Sequence, residues 1–184
     1  IHRIIEKNSE NQMISKIKTG GIIAIFSVIC YVSILEGAPL NATPDYEQNR
    51  LNYTSDESFV KYIESNVEEG AMIYQLPYHG YPEEGFVNDM WDYHLYIGYI
   101  HSKSLRWSYG SVKGREGDIW NKNISNMSYS DMVSTLKEQG FAGIYIDRRA
   151  YTEDELVELE ITLKNLIGVE PVISNNSNLS FFRF

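Results

Sequence analysis

Between Thr19 and Leu35 the chain reads TGGIIAIFSVICYVSIL, seventeen residues without a charge, with Lys16 and Lys18 just before it and Glu36 just after. No other stretch constrains the fold as strongly, because this one decides which solvent the remaining residues meet. As an α-helix it rises roughly 25 Å, slightly short of a hydrocarbon core of about 30 Å, and Ala38, Pro39 and Leu40 extend the apolar surface at the far end. A membrane-spanning helix over residues 19–37 is the expectation. A buried helix of a soluble core would carry a polar stripe, whereas only Thr19, Ser27, Tyr31 and Ser33 interrupt the run. A signal peptide would end in small residues, and Leu35-Glu36-Gly37 makes a poor cleavage site. The opening on Ile1 rather than methionine further suggests the closing piece of a longer, multi-pass protein.

Charge sets the orientation. Arg3, Lys7, Lys16 and Lys18 precede the apolar run and the next basic residue is Arg50, so residues 1–18 form a cytoplasmic flank. The remainder is placed outside the cell membrane, as an extracytoplasmic domain. Residues 1–18 hold four basic and two acidic side chains, which leaves twelve basic and twenty-three acidic ones beyond them. So acidic a domain excludes nucleic acid as a partner and a polybasic grip on anionic headgroups. The single cysteine, Cys30, lies within the apolar run, so disulfides do not staple the outer part. Asn-x-Ser/Thr triplets at Asn41, Asn52, Asn123, Asn126, Asn175 and Asn178 are read as chance in an asparagine-rich chain.

Residues 38–53 mix Pro, Asn and charge without period and read as a linker, so the folded domain is expected over 54–184. Thr54 and Glu57 match a capping box, and Phe59, Val60, Ile63 and Val67 share one face of a helix ending near Gly70. Ala71 to Leu76 reads as a buried strand cut off by Pro77. A second helix starts at Ser128 or Ser130, presents Met132, Val133 and Leu136, and stops at Gly140. Phe141 to Ile146 is the clearest strand. Thr152 and Glu155 form another capping box, and Leu156, Leu159, Leu163 and Leu166 stripe a third helix ending at Gly168. Pro171–Ile173 and Leu179–Phe184 flank a turn and read as a β-hairpin. The fold class is therefore α/β: a transmembrane helix, then a small mixed sheet with a parallel crossover and an antiparallel C-terminal hairpin.

Residues 77–127 show neither helical nor strand period and read as a long irregular insert. It holds three of the four histidines and all three tryptophans. Side chains that pair apolar area with a polar tip make binding surfaces, and sugar rings stack on such aromatics. Tyr78, His79, Glu83, Asp92, His101, Arg106, Trp107, Tyr109, Lys113 and Arg115 are the candidate substrate-binding residues. Arg106, Lys113 and Arg115 stand out as cations in an acidic domain, suited to a lipid-linked phosphate or to salt bridges with Glu83, Glu84, Glu116 or Asp118. Asp147, Arg148 and Arg149 close the clearest strand, where open α/β sheets place ligands, with capping and surface pairing as the competing roles. No His-x-x-x-His spacing marks a metal site, no cofactor motif occurs, and glycoside hydrolysis needs a carboxylate separation that spacing does not specify.

Several clusters together resemble a known family. Leu76-Pro77-Tyr78, Pro82-Glu83, Asp89-Met90, Asp92-Tyr93, His101-Ser102, Leu105 to Gly110, Lys113-Gly114-Arg115 and Gly143 to Arg148 with Tyr151 are similar to the extracytoplasmic C-terminal domain of bacterial multi-pass membrane sugar transferases of the GT-C type. The resemblance spans about residues 19–184. It implies an envelope enzyme using polyprenyl-phosphate sugars, in which this domain binds glycan or lipid-linked substrate or serves as a scaffold. The family's catalytic acid lies near its first membrane helices, so the resemblance assigns no catalytic residue here, and the piece alone is expected to be inactive. The other expectation is a membrane-tethered interaction module that docks another envelope protein.

Overall fold

A computed structural model describes residues 2–37 and 44–184, with side-chain surroundings from residue 16 onward within the first stretch. The chain divides into two units, 1–46 and 47–184.

In the first unit, α1 (His2–Gly37) is one unbroken helix of 36 residues. Its portion from Lys16 to Gly37 is long and apolar enough to cross a membrane, and every side chain there is exposed. No polar stripe divides that surface, as the sequence leads one to expect.

The second unit opens one residue into α2 (Tyr46–Asn66), a helix that begins well before the expected capping box. Residues 38–43 of the expected linker lie outside the described residues, and from Tyr46 its remainder is helical. Local pairing explains the difference: Arg50 Nη2 reaches Glu47 Oε1 at 2.7 Å, Gln48 donates to Asn52 at 3.2 Å, and Glu47 sits in the first turn. Thr54 caps nothing, because its hydroxyl donates back to the Arg50 carbonyl at 2.9 Å. The face it precedes does bury Phe59, Val60 and Ile63.

Five strands follow: β1 (Met72–Leu76), β2 (Arg106–Trp107), β3 (Phe141–Asp147), β4 (Val172–Ile173) and β5 (Leu179–Arg183), in the order β2-β1-β3-β5-β4. β1 pairs in parallel with both β2 and β3, and the closing hairpin adds β5 and β4 antiparallel. The crossover and hairpin are as expected; β2 is not. Nor is the insert wholly irregular: it holds α3 (Ile97–His101), β2 and α4 (Glu116–Ser125). A two-residue strand and a five-residue helix are too short to show a period, and Gly117 inside α4 masks a weak one.

The last two helices obey their end signals. In α5 (Tyr129–Glu138) the Ser128 hydroxyl accepts from Asp131 N. In α6 (Glu153–Ile167) Thr152 and Glu155 form the capping box, and Gly168 closes the helix at a φ of 87° that a side chain would strain.

Alternation along the strands feeds two cores. Tyr74, Leu76, Ile144, Ile146 and Phe182 pack with Ile124 of α4, Leu136 of α5 and Leu159 and Leu163 of α6. On the other face Ile73, Tyr145 and Phe181 pack with Phe59 and Ile63 of α2 and with Met90, Leu95 and Trp107 of the insert. The sheet is thus covered on both sides within residues 47–184, which carry a complete core of their own.

Candidate functional site

The insert is placed by the strands it joins. Leaving β1, residues 77–105 cross the α2 face and bury Met90 and Leu95 there; leaving β2, α4 and α5 cross the opposite face. Adjacent parallel strands whose connections depart to opposite sides create a crevice beyond their carboxyl ends, the usual ligand position in open α/β sheets. A cleft lies at that point, walled by Tyr78 and His79 after β1, Ser108 to Ser111 after β2, and Asp118 and Asn121 of α4.

Hydrogen bonds hold its walls. Buried Gln75 of β1 donates from Nε2 to the Leu95 carbonyl at 2.6 Å and accepts from Tyr109 N at 3.0 Å, while Ser108 Oγ accepts from Gln75 N at 2.8 Å. Tyr78 donates to Asp118 Oδ1 and Gly114 N to Asp118 Oδ2, both at 2.8 Å. The phenol of Tyr78 is pushed up to about 12, by burial first and then by the Asp118 carboxylate.

His79 is almost wholly buried, with Nε2 3.2 Å from Asp92 Oδ1. Asp92 also accepts from Gly85 N at 2.6 Å, and that amide is the main cause that holds its carboxyl below the ordinary range, with burial opposing it. An ionised carboxylate accepts, so the imidazole carries a proton on Nε2. The Tyr109 hydroxyl donates to the Asp92 carbonyl and closes the ring of contacts.

Of the expected binding residues, Tyr78, His79 and Tyr109 line the cleft and Asp92 supports it. Glu83 is exposed and lends only its carbonyl to Lys113 Nζ at 3.1 Å. The three cations do not converge. Lys113 pairs with Glu84 at 2.5 Å and Arg115 is exposed before α4, whereas Arg106 lies opposite Met72 at the other end of the sheet and donates to the Gly70 carbonyl at 2.6 Å. Parallel register, invisible in the spacing, separates them.

Trp107 belongs to the core rather than to a binding surface. Its ring meets Tyr145 edge-on at 5.5 Å, covers Gly98, and donates from Nε1 to Ser102 Oγ at 2.8 Å. His101 stacks edge-on against Tyr53 of α2 at 4.7 Å. At the end of β3, Asp147 is fully buried and binds Arg149 through two contacts of 2.8 and 2.6 Å, a structural pair. Among the described residues no three His, Cys, Asp or Glu side chains gather as a metal-binding group.

Gln75, Asp118 and Asn121 were not among the expected residues. A glutamine in the otherwise apolar run Ala71–Leu76 was the available signal, since a polar side chain in a buried strand needs partners. Outside the cleft, Phe86 and Trp91 meet at 5.2 Å while remaining 69% and 58% exposed.

No protein-family model, curated protein or solved structure matches the chain.

Proposed function

We propose that the chain is the membrane-anchored outer domain of a cell-envelope glycosyltransferase-like enzyme, which binds glycan or polyprenyl-phosphate sugar and does no catalysis by itself. The observation that carries this reading is the cleft at the carboxyl ends of β1 and β2, where tyrosine rings stand beside polar groups. Such a mixture suits a sugar, whose C–H faces pack on aromatics while its hydroxyls hydrogen-bond. Support for the anchor comes from Lys16–Gly37, which is long and apolar enough to cross a membrane and buries none of its side chains within the protein. The extracytoplasmic placement rests on the basic flank before that segment.

Two measurements test the proposal. Alkaline extraction of membranes bearing the full chain is expected to leave it in the lipid pellet; release into the supernatant would remove the anchor. NMR titration of residues 47–184 with glycan fragments and polyprenyl-phosphate sugars is expected to shift Tyr78, His79 and Tyr109, and silence there would overturn the binding role. A second reading, docking of another envelope protein, is favoured by the exposed Phe86–Trp91 pair. Shifts confined to that pair on adding envelope extract would support it.

A further inference from the structure

We propose that an open groove beside the cleft seats one uncharged sugar ring, so that the molecule bound here is a neutral glycan and not a phosphate-bearing donor. This deepens the proposed glycan binding and rests on that reading for the class of ligand.

The polar groups of the cleft are largely spoken for. Tyr78 and Gly114 occupy both oxygens of Asp118. Asn121 donates from Nδ2 to the Ser108 carbonyl at 2.8 Å, and its Oδ1, although without a partner, is shielded from solvent. Tyr78 also lines a second hollow, a groove of about 240 Å³ beyond the end of β1, together with Leu76, Tyr129 and Met132 of α5, and Tyr151 after β3. That volume lies below the roughly 300–1,000 Å³ of sites for drug-sized molecules and gives room for one ring.

In the groove the polar groups are open. Among the described residues the hydroxyls of Tyr129 and Tyr151 have no protein partner, Tyr129 is 41% exposed, and the Tyr151 oxygen is not one of the buried unpartnered atoms. Burial and then the Tyr129 phenol raise the Tyr151 phenol, so the two hydroxyls stand within electrostatic reach of one another. Each donates as readily as it accepts, as ring hydroxyls require. Three tyrosines with Leu76 and Met132 supply apolar area for a C–H face. These walls are set before a ligand arrives: Tyr78 by Asp118, Tyr129 by the Ser128 cap of α5, and Tyr151 by its amide on the Arg148 carbonyl at 3.2 Å.

Charge selects the ligand. No Asp, Glu, His, Lys or Arg lines the groove, and no Lys or Arg lines the cleft next to it. The amino end of α5, where Tyr129 sits, is already answered by its own Asp131. A phosphate would find no cation here and would meet the Asp118 carboxylate that Tyr78 holds. An alkyl chain would leave both hydroxyls covered and unpaired.

The test is an NMR titration of residues 47–184 with methyl hexosides, short neutral oligosaccharides and hexose 1-phosphates. Neutral sugars are expected to shift Tyr78, Tyr129 and Tyr151, and the hexose 1-phosphates to bind about fivefold more weakly or worse. Tyr129→Ala, at a position outside both cores, should weaken binding about tenfold, and Tyr151→Phe, which keeps the ring and loses only the hydroxyl, about fivefold. Should Tyr129→Ala fail to fold, Tyr151→Phe decides. Hexose 1-phosphates that bind as tightly as neutral sugars, full affinity in the deciding variant, or shifts at His79 and Tyr109 with none at Tyr129 and Tyr151 would overturn the groove and leave glycan binding standing. No response to any of these sugars would overturn both.

Discussion

The parallel neighbours β1 and β3 run side by side, yet their carboxyl ends are finished in opposite ways. After β3 the chain fills its own position: Asp147, with no exposure, is gripped by Arg149 two residues later, and Asp147 also caps the short turn that follows. After β1 the polar groups are supplied by three separate segments, and one acceptor is left over. Topology offers a ligand position at both ends. The two ends differ in whether local sequence saturates the hydrogen-bonding valences there. The pair at β3 is built from neighbours in sequence, and so closes; the walls at β1 come from residues up to about forty positions apart, and do not.

Four substitutions or titrations would break or sharpen this contrast. The largest effect is expected for Arg149→Ala, which strands a buried carboxylate and should cost about 3–5 kcal/mol in chemical denaturation of residues 47–184. A loss near zero would mean that β3 is no more closed than β1. Next, Gln75→Leu leaves the Leu95 carbonyl and Tyr109 N unpaired, for about 2–4 kcal/mol. Hydrogen exchange should then quicken in the insert and stay slow in α6, where uniform quickening would count against the cleft as a separately held region.

A pH titration comes third. Burial, and then the charge of Arg149, hold the His94 imidazole below its ordinary value; His101 is also lowered by burial, against Asp56 and Glu57. Since the unfolded chain takes up these protons first, stability is complete above the free-histidine value of about 6.5 and falls as the pH drops through and below it. Protonation of His94 would also displace Trp91 N, which donates to its Nδ1 at 3.0 Å. His94→Gln should flatten the decline between pH 6.5 and 5, and an unchanged slope would place the titrating group elsewhere. The smallest effect is expected for Lys113→Ala, whose exposed bridge to Glu84 should be worth less than about 1 kcal/mol by thermal melting.

Much of the scaffold was legible because its signals are local. Ser128, the Thr152–Glu155 box and Gly168 mark helix ends through contacts within four residues, and the Leu159–Leu163 spacing names its own buried face. The start of α2 was missed because Arg50–Glu47 and Gln48–Asn52 pairing outweighs the absence of apolar period over residues 46–53. At the cleft, Tyr78, His79 and Tyr109 were singled out through composition, aromatic and polar groups crowded into one segment. Asn121 escaped because it looks like any helical asparagine until the Ser108 carbonyl claims its nitrogen. Arg106 was misjoined to Lys113 because pairing with Met72 is a long-range fact that seven residues of separation conceal.

The two outermost strands of the sheet, β2 and β4, have just two residues each, while the longer β1, β3 and β5 lie inside. Wherever copies of a chain meet sideways, a long bare border would template chain-to-chain pairing. Borders this brief give a neighbouring copy almost nothing to zip onto, so extension of the sheet from one copy to the next is disfavoured however closely two copies approach.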